Sequence, residues 1–276
     1  MPSRKLANST PTILRCLKTA RDEWKRTAAP DRAINADQWA QLDDTNPKGL
    51  LNLMLTANGG VDSALAAQTA ATSKLTDASG RLGMFCSHFH QALDNGIARG
   101  LFSPSDRNFY ERPATATAIP VLQAQDDIAE TAELIVTGEA ARAKAAPPGK
   151  PLTMDSGVKY DSGVKWDSTT GGFVPMAMPS ADEVGALLTQ FQSATTTSDQ
   201  ALVATDTARE ALAVIYPDAL ALAVDICDTV EYFYRKDPDD SSRRAKCERW
   251  GVVYAYDDAV VPPTPPPTPV TAPPAR

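Results

Sequence analysis

The sequence predicts an all-α fold: an elongated up-and-down bundle of four to five main helices, followed by a short extended C-terminal arm and a disordered proline-rich tail. Two long stretches repeat apolar residues at alternating steps of three and four, which is typical of packed helices. Prolines stand at the first positions of several candidate helices. The 276 residues, 43% of them hydrophobic, are enough to bury a core without disulfides or structural metals.

Capping signals predict the first two helices. Thr10 can cap a helix whose first position is Pro11, where the missing N–H of proline has no partner to lose. Apolar residues follow at helical spacing, and we expect this helix to end near residues 28–30. Asn35 can cap a second, short helix over residues 36–42.

The third predicted helix contains the longer of the two heptad patterns. It is expected to start at Asn46 and Pro47 and to reach Ile97, either as one helix or as two divided at Gly59 and Gly60. Polar residues occupy the middle of the pattern, so we expect its ends to pack more tightly than its middle. The pattern consists of Leu51, Met54, Asn58, Val61, Leu65, Gln68, Thr72, Leu75, Ser79, Leu82, Cys86, Phe89 and Leu93.

Two further helices are expected between residues 103 and 146. Ser103 and Pro104 begin a short one, and a longer one is predicted from Pro120 to about Ala146. Prolines and a glycine at positions 147–151 end it. Its predicted buried face is made of Val121, Ile128, Ala132 and Ile135.

The second heptad pattern follows a capping box formed by Ser180 and Glu183. Pro217 is expected to kink or restart the helix, because it cannot donate to the carbonyl four residues back. A continuation to Lys236 is predicted. The pattern consists of Leu187, Phe191, Ala194, Ser198, Ala201, Thr205, Ala208, Leu212 and Ile215.

A short tandem repeat of six residues lies within the turn-rich excursion predicted at residues 147–179. Met154, Tyr160 and Trp166 each precede Asp-Ser in it, and glycine supplies the backbone freedom for turns. These three bulky side chains are candidate interaction residues. The sequence leaves open whether they pack locally or contact another chain.

The C-terminal part of the helical domain, which we predict to span residues 1–256, ends in a basic segment. Arg243, Arg244 and Trp250 in this segment are candidate contacts for a partner. Residues 251–256 are typical of a short strand or extended arm. Residues 257–276 are proline-rich, contain a PxxP pattern and are predicted to be a disordered tail.

Charge and cysteine content bear on partners and location. The net charge of -7 and the pI near 4.9 argue against nucleic acid as the main partner. Four widely spaced cysteines are typical of free thiols in a reducing compartment. We see no signal peptide and no apolar run long enough for a membrane span, which favours a cytoplasmic protein without membrane contact; export without a cleaved signal remains open.

One cluster has the residue types of a metal site. On a helix, Cys86, His90 and Asp94 share a face at intervals of four, and thiolate, imidazole and carboxylate all bind zinc-type metals. Cys86 also occupies a heptad position, where cysteine acts as a small hydrophobic residue. HEXXH and CxxC spacings are absent, so the first expectation is a protein without a cofactor.

Three hypotheses on function follow. The first is a non-enzymatic structural or self-assembling protein, a subunit of an oligomer or filament that binds itself or another protein; we find no catalytic, phosphate-binding or dinucleotide-binding motif and no small-molecule substrate. The second is a metal-binding bundle that uses the cluster above. The third is an adaptor that recruits a partner through its C-terminal arm and tail.

Overall fold

The computed structural model describes residues 3–145, 175–176 and 178–255, and this part of the chain is predominantly α-helical, as the sequence predicts. No helix within these residues combines the length and the apolarity needed to cross a membrane. The repeat residues Met154, Tyr160 and Trp166 and the predicted tail at 257–276 lie outside the described residues. The helices are α1 (Thr10–Arg26), α2 (Ala36–Leu42), α3 (Leu50–Ala98), α4 (Gln125–Ala145), α5 (Ala181–Tyr234) and α6 (Asp240–Arg249), with 3-10 helices at Ala29–Asp31 and Pro104–Tyr110 and strands β1 (Ser3–Lys5) and β2 (Val253–Ala255).

Contacts between residues group the chain into two compact units. Unit 1 consists of Met1–Asp62 and Thr207–Arg276, and unit 2 of Ser63–Asp206. Helices α3 and α5 each pass from one unit into the other. Each unit contains its own cluster of buried apolar side chains.

Unit 1 is built around the apolar face of α1. Ile13 and Leu17 are fully buried against side chains from α3, α5 and α6. The rings of Trp24 and Trp39 stack at a centroid distance of 5.2 Å and join α1 to α2. Burial of this kind is the main source of stability in a helical unit.

Unit 1 also contains a two-stranded antiparallel sheet. Strand β1 pairs with β2 so that Arg4 lies opposite Tyr254. An extended segment at residues 251–256 was expected from the sequence, but its pairing with β1 was not. Gly251 precedes β2 with φ at 95°, and a Cβ there would lie 2.7 Å from the carbonyl oxygen of Cys16, so only glycine fits this turn.

Unit 2 packs α4 and the start of α5 against the second half of α3. Phe89 and Leu93 of α3, Ile135 of α4 and Phe191 of α5 belong to one buried cluster. The predicted capping box of α5 is confirmed: the backbone N–H of Ser180 donates to Glu183 at 2.8 Å, and that of Glu183 donates to the Ser180 hydroxyl at 3.2 Å.

Three helix starts differ from the prediction. The cap of α1 is Ser9, whose backbone N–H donates to the Thr12 hydroxyl at 3.0 Å, and Thr10 is the first helical residue. Asn46 forms a local turn by accepting from the N–H of Lys48, so α3 begins at Leu50 instead of Pro47.

Helix α4 begins at Gln125, five residues after Pro120. The Asp127 carboxylate accepts from the N–H of Ala124 at 3.3 Å and fixes this later start. Val121 therefore precedes the helix and is exposed, whereas Ile128, Ala132 and Ile135 are buried as expected.

Pro217 does not restart α5, which is one helix from Ala181 to Tyr234. The proline ring leaves the carbonyl of Ala213 without its helical donor. Both residues are exposed, so water can hydrate that carbonyl. Likewise, α3 continues through Gly59 and Gly60 as one helix.

Candidate functional site

The three candidate metal ligands all lie on α3 in unit 2, but the structure does not bring them together as a ligand set. Cys86 is buried in the apolar cluster, with its Sγ 4.0 Å from the carbonyl oxygen of Ile128. Burial raises the pKa of the Cys86 thiol to about 12, which disfavours the thiolate that a metal needs. Within the described residues, no group of three His, Cys, Asp or Glu side chains is placed to hold a metal ion.

Asp94 is held by two arginines instead. Arg107 Nε donates to one carboxylate oxygen at 2.8 Å, and Arg112 Nη2 donates to the other at 2.9 Å. Burial raises the pKa of Asp94, and the two arginines outweigh this effect and leave it below its usual value. Asp94 therefore joins α3 to the 3-10 helix Pro104–Tyr110 through Arg107 and to the following segment through Arg112, and its charge is already paired.

His90 is a buried titratable group on α3, with 1% of its surface exposed. Its Nδ1 lies 3.3 Å from Arg112 Nη1, and because arginine only donates, Nδ1 accepts and the proton sits on Nε2. Burial lowers the pKa of His90 to about 4, with a further contribution from the positive charge of Arg112. The imidazole is therefore neutral at physiological pH.

A second polar network lies beside this one. The Tyr110 hydroxyl donates to Glu139, and Arg142 Nη2 donates to the same carboxylate at 2.8 Å. The backbone N–H of Met176 donates to it at 2.9 Å. Burial raises the pKa of Glu139, and these three donors outweigh it, so the carboxylate keeps its charge.

Glycine makes this network possible. A Cβ on Gly138 would lie 2.4 Å from the carbonyl oxygen of Phe109 and 2.6 Å from the Tyr110 ring. Only glycine lets α4 approach the 3-10 helix Pro104–Tyr110 closely enough for Tyr110 to reach Glu139. The hydrogen bond between Tyr110 and Glu139 thus depends on the absence of a side chain at Gly138.

A cavity of about 320 Å³ opens beside these groups. His90, Tyr110 and Arg112 line it together with the carboxylates of Glu111, Asp127 and Glu130. Arg112 Nε is buried and has no hydrogen-bond partner within the described residues. The arrangement offers a neutral imidazole and a paired guanidinium, but among the residues that the structure describes no serine, cysteine or lysine nucleophile lines the cavity.

Five residues of the two networks, Arg107, Tyr110, Arg112, Glu139 and Arg142, were not singled out from the sequence. One signal was present: Glu139 and Arg142 continue the buried stripe of α4 at steps of four and three after Ile135. Charged residues on a buried stripe are costly unless they are paired, so they mark a network. Nothing comparable pointed to Arg112, which lies outside any helix.

The candidate interaction residues near the C terminus differ in their exposure to a partner. Trp250 is 1% exposed, belongs to the core of unit 1 and donates from Nε1 to the Tyr234 hydroxyl at 3.2 Å, so it is not available to a partner. Arg243 and Arg244 lie on α6 and line a cleft of about 310 Å³. Their contact with a partner remains a prediction.

Comparison of the chain with protein-family models, with curated proteins and with solved structures finds no match in any of the three.

Proposed function

We propose that this chain is a non-enzymatic structural protein that associates with a second copy of itself through a groove in unit 2. The groove has a volume of about 530 Å³ and lies between α3 and α5. Its floor carries small side chains, and charged residues of both signs stand at its edge. The observation that carries the proposal is this pairing of a shallow, small-residue floor with charges that have no partner in their own unit.

The two helices are poorly covered where the groove lies. Between residues 63 and 80 of α3, only Ala71 and Ser79 are buried, and between 192 and 206 of α5, only Thr205 is. Leu202 and Val203 are exposed in the same stretch of α5. Long helices draw most of their stability from packing, so an uncovered stretch is suited to a further helix.

Small residues allow that further helix to come close. Ala71 and Ala78 of α3 and Ser193 and Ala194 of α5 all line the groove. Two helix backbones can approach more closely when alanine or serine lies at the contact than when leucine does. The floor therefore suits a helix of similar composition, such as α3 or α5 of a second copy.

The charges at the edge make the surface complementary to itself. Asp77 lies between Lys74 and Arg81 on one face of α3, and none of the three forms an ion pair within the described residues. In a two-fold dimer the same patch meets itself, so Asp77 of one copy lies near Lys74 or Arg81 of the other. Such pairing fixes register and partner choice.

The proposal also includes the finer architecture expected from the sequence. Heptad patterns of this length favour an elongated up-and-down arrangement of the helices. Small-angle X-ray scattering of the monomeric and associated forms tests that arrangement, because an elongated particle has a larger maximum dimension than a compact one of equal mass.

Sedimentation velocity over about 1–100 μM tests the association. We expect a mass that rises with concentration towards that of a dimer or larger assembly. Asp77→Lys makes the groove edge uniformly positive and is expected to weaken association at least about tenfold. Glu133→Lys changes the charge of the same unit by the same amount at an exposed position on α4, outside the groove and outside both uncovered stretches, and is the matched control.

A charge exchange sharpens the experiment. The double variant Lys74→Asp, Arg81→Asp should also associate weakly by itself, but a mixture with Asp77→Lys should recover association, because each patch then meets its opposite. A strictly monomeric wild-type protein over the whole range contradicts the proposal. Equal effects of Asp77→Lys and Glu133→Lys contradict the location of the surface.

A further inference from the structure

Two thiols from distant parts of the sequence meet in unit 1. Cys16 on α1 and Cys227 on α5 are separated by 211 residues, and their Sγ atoms are 3.8 Å apart. A disulfide bond is about 2.05 Å long, so each sulfur needs to move by only about 1 Å to form one. Neither of the other cysteines lies near a second thiol in this way: Cys247 is buried elsewhere in the unit 1 core, and Cys86 lies in unit 2.

The surroundings give the two thiols different roles. A hydrogen bond from the Cys227 thiol lowers the pKa of Cys16, and the nearby charges of Arg15 and Arg4 lower it further against the opposing effect of burial. The pKa of Cys227 is raised, because its proton is held by Cys16 and because it is partly buried. When the pair loses a proton, these effects favour the thiolate on Cys16 and leave the remaining proton on Cys227.

We propose that Cys16 and Cys227 form a redox-active pair that a small hydroperoxide oxidises to an intrachain disulfide. The Cys16 thiolate attacks one oxygen of hydrogen peroxide; the O–O bond breaks, and Cys16 becomes a sulfenic acid as hydroxide leaves. The Cys227 sulfur then attacks the Cys16 sulfur, the S–O bond breaks, and the oxygen leaves as water with the thiol proton. In sum, two thiols and one peroxide give one disulfide and two waters.

Hydrogen peroxide suits this pair because it is small. Cys16 is buried and Cys227 only partly exposed, so a bulky oxidant reaches them less readily than a molecule close to water in size. A lowered thiol pKa with a second cysteine in reach is the arrangement that favours a disulfide over further oxidation of the first sulfur.

The pair lies where the two ends of the chain are joined. The turn at Gly251 packs on the backbone of Cys16, and Arg4 of β1 contacts Asp228, the neighbour of Cys227. A bond between the sulfurs covalently links α1, which contacts the turn before β2, to α5, which contacts Arg4 of β1. Oxidation should therefore keep β1 paired with β2. The proposal does not depend on self-association through unit 2, and either can fail without the other.

The test uses the full-length reduced protein exposed to hydrogen peroxide, then alkylated and mapped by mass spectrometry without reductant. We expect a Cys16–Cys227 cross-linked peptide, about 2 Da lighter than the sum of its reduced parts, with Cys86 and Cys247 alkylated. The melting temperature should rise by several degrees on oxidation and return on reduction.

Cys227→Ser should abolish the cross-link and the rise in melting temperature, and Cys247→Ser, in the same core, should preserve both. Wild-type mapping needs no variant, so a misfolded variant does not end the test. A Cys16 sulfinic acid without cross-link, a cross-link to Cys247, or a metal ion retained by the two thiols in elemental analysis would each overturn the proposal.

Discussion

Unit 1 and unit 2 bury different kinds of side chain. The buried side chains of unit 1 are apolar apart from the uncharged Gln38, and its ion pairs, such as Arg4 with Glu231 and Lys246 with Asp237, lie at its periphery. Unit 2 has an apolar cluster too, but it also buries Arg112, Glu139 and Arg142, which are 6%, 8% and 7% exposed. The contrast shows that one helical chain can hold together by non-directional packing in one region and by directional hydrogen bonds in another.

The physical consequence concerns tolerance to change. Each apolar contact contributes separately to stability. Unit 1 should therefore lose stability in proportion to the volume of buried side chain that a substitution removes. A buried polar network fails as a whole, because each partner left behind is an unpaired charge in a poor solvent. Unit 2 should therefore be more sensitive to single polar substitutions and to pH than unit 1.

The largest loss of stability is expected when the buried polar network of unit 2 is broken. Glu139→Ala removes the buried carboxylate that accepts from Tyr110, Arg142 and the N–H of Met176, and is expected to lower the free energy of unfolding by about 3–5 kcal/mol. Urea denaturation monitored by circular dichroism measures this. Glu133→Ala on the exposed face of the same helix is the control and should cost less than about 0.5 kcal/mol. Similar losses for the two variants would contradict a paired buried carboxylate.

The next effect probes the apolar core of unit 1. Leu17→Ala removes a fully buried side chain and should cost about 2–4 kcal/mol, with amide exchange rising in α1 and not in α4. Leu6→Ala, at an exposed position in the same unit, should be nearly neutral. Equal acceleration of exchange in both helices would show that the two units do not unfold separately.

The smallest of these effects is a difference between the two units in how their stability depends on pH. Both histidines of the chain lie in unit 2, and the pKa of His90 is lowered to about 4 by burial from an ordinary value of 6.5. The unfolded chain binds the proton more readily, so the His90 contribution is complete above pH 6.5 and is lost as pH falls towards 4. We expect up to about 2–3 kcal/mol of destabilisation over this range.

Two variants assign this pH dependence. His90→Gln should flatten the stability profile between pH 6.5 and 4, and His88→Gln should leave it unchanged, because His88 is exposed. Amide exchange at two pH values should show the loss in α4 before α1. A profile that stays steep in His90→Gln would place the titrating group elsewhere.

The sequence by itself determined the class of the fold and much of its local structure. The spacing of apolar residues and the caps at Asn35 and Ser180 encode helices through interactions a few residues apart, so reading them needs no tertiary information. The polar middle of the first heptad pattern correctly predicted that its ends are buried while Leu65 and Thr72 are exposed. Starts that depend on loop geometry, such as those of α3 and α4, were placed a few residues too early.

Only the tertiary structure decided which side chains meet. The cluster of Cys86, His90 and Asp94 has the right spacing for a metal, yet Asp94 contacts arginines from a later segment that no helical periodicity could place. The pairing of Cys16 with Cys227 joins residues more than two hundred positions apart. Long-range contacts depend on how elements pack, and packing is a property of the whole arrangement of side chains rather than of any local pattern.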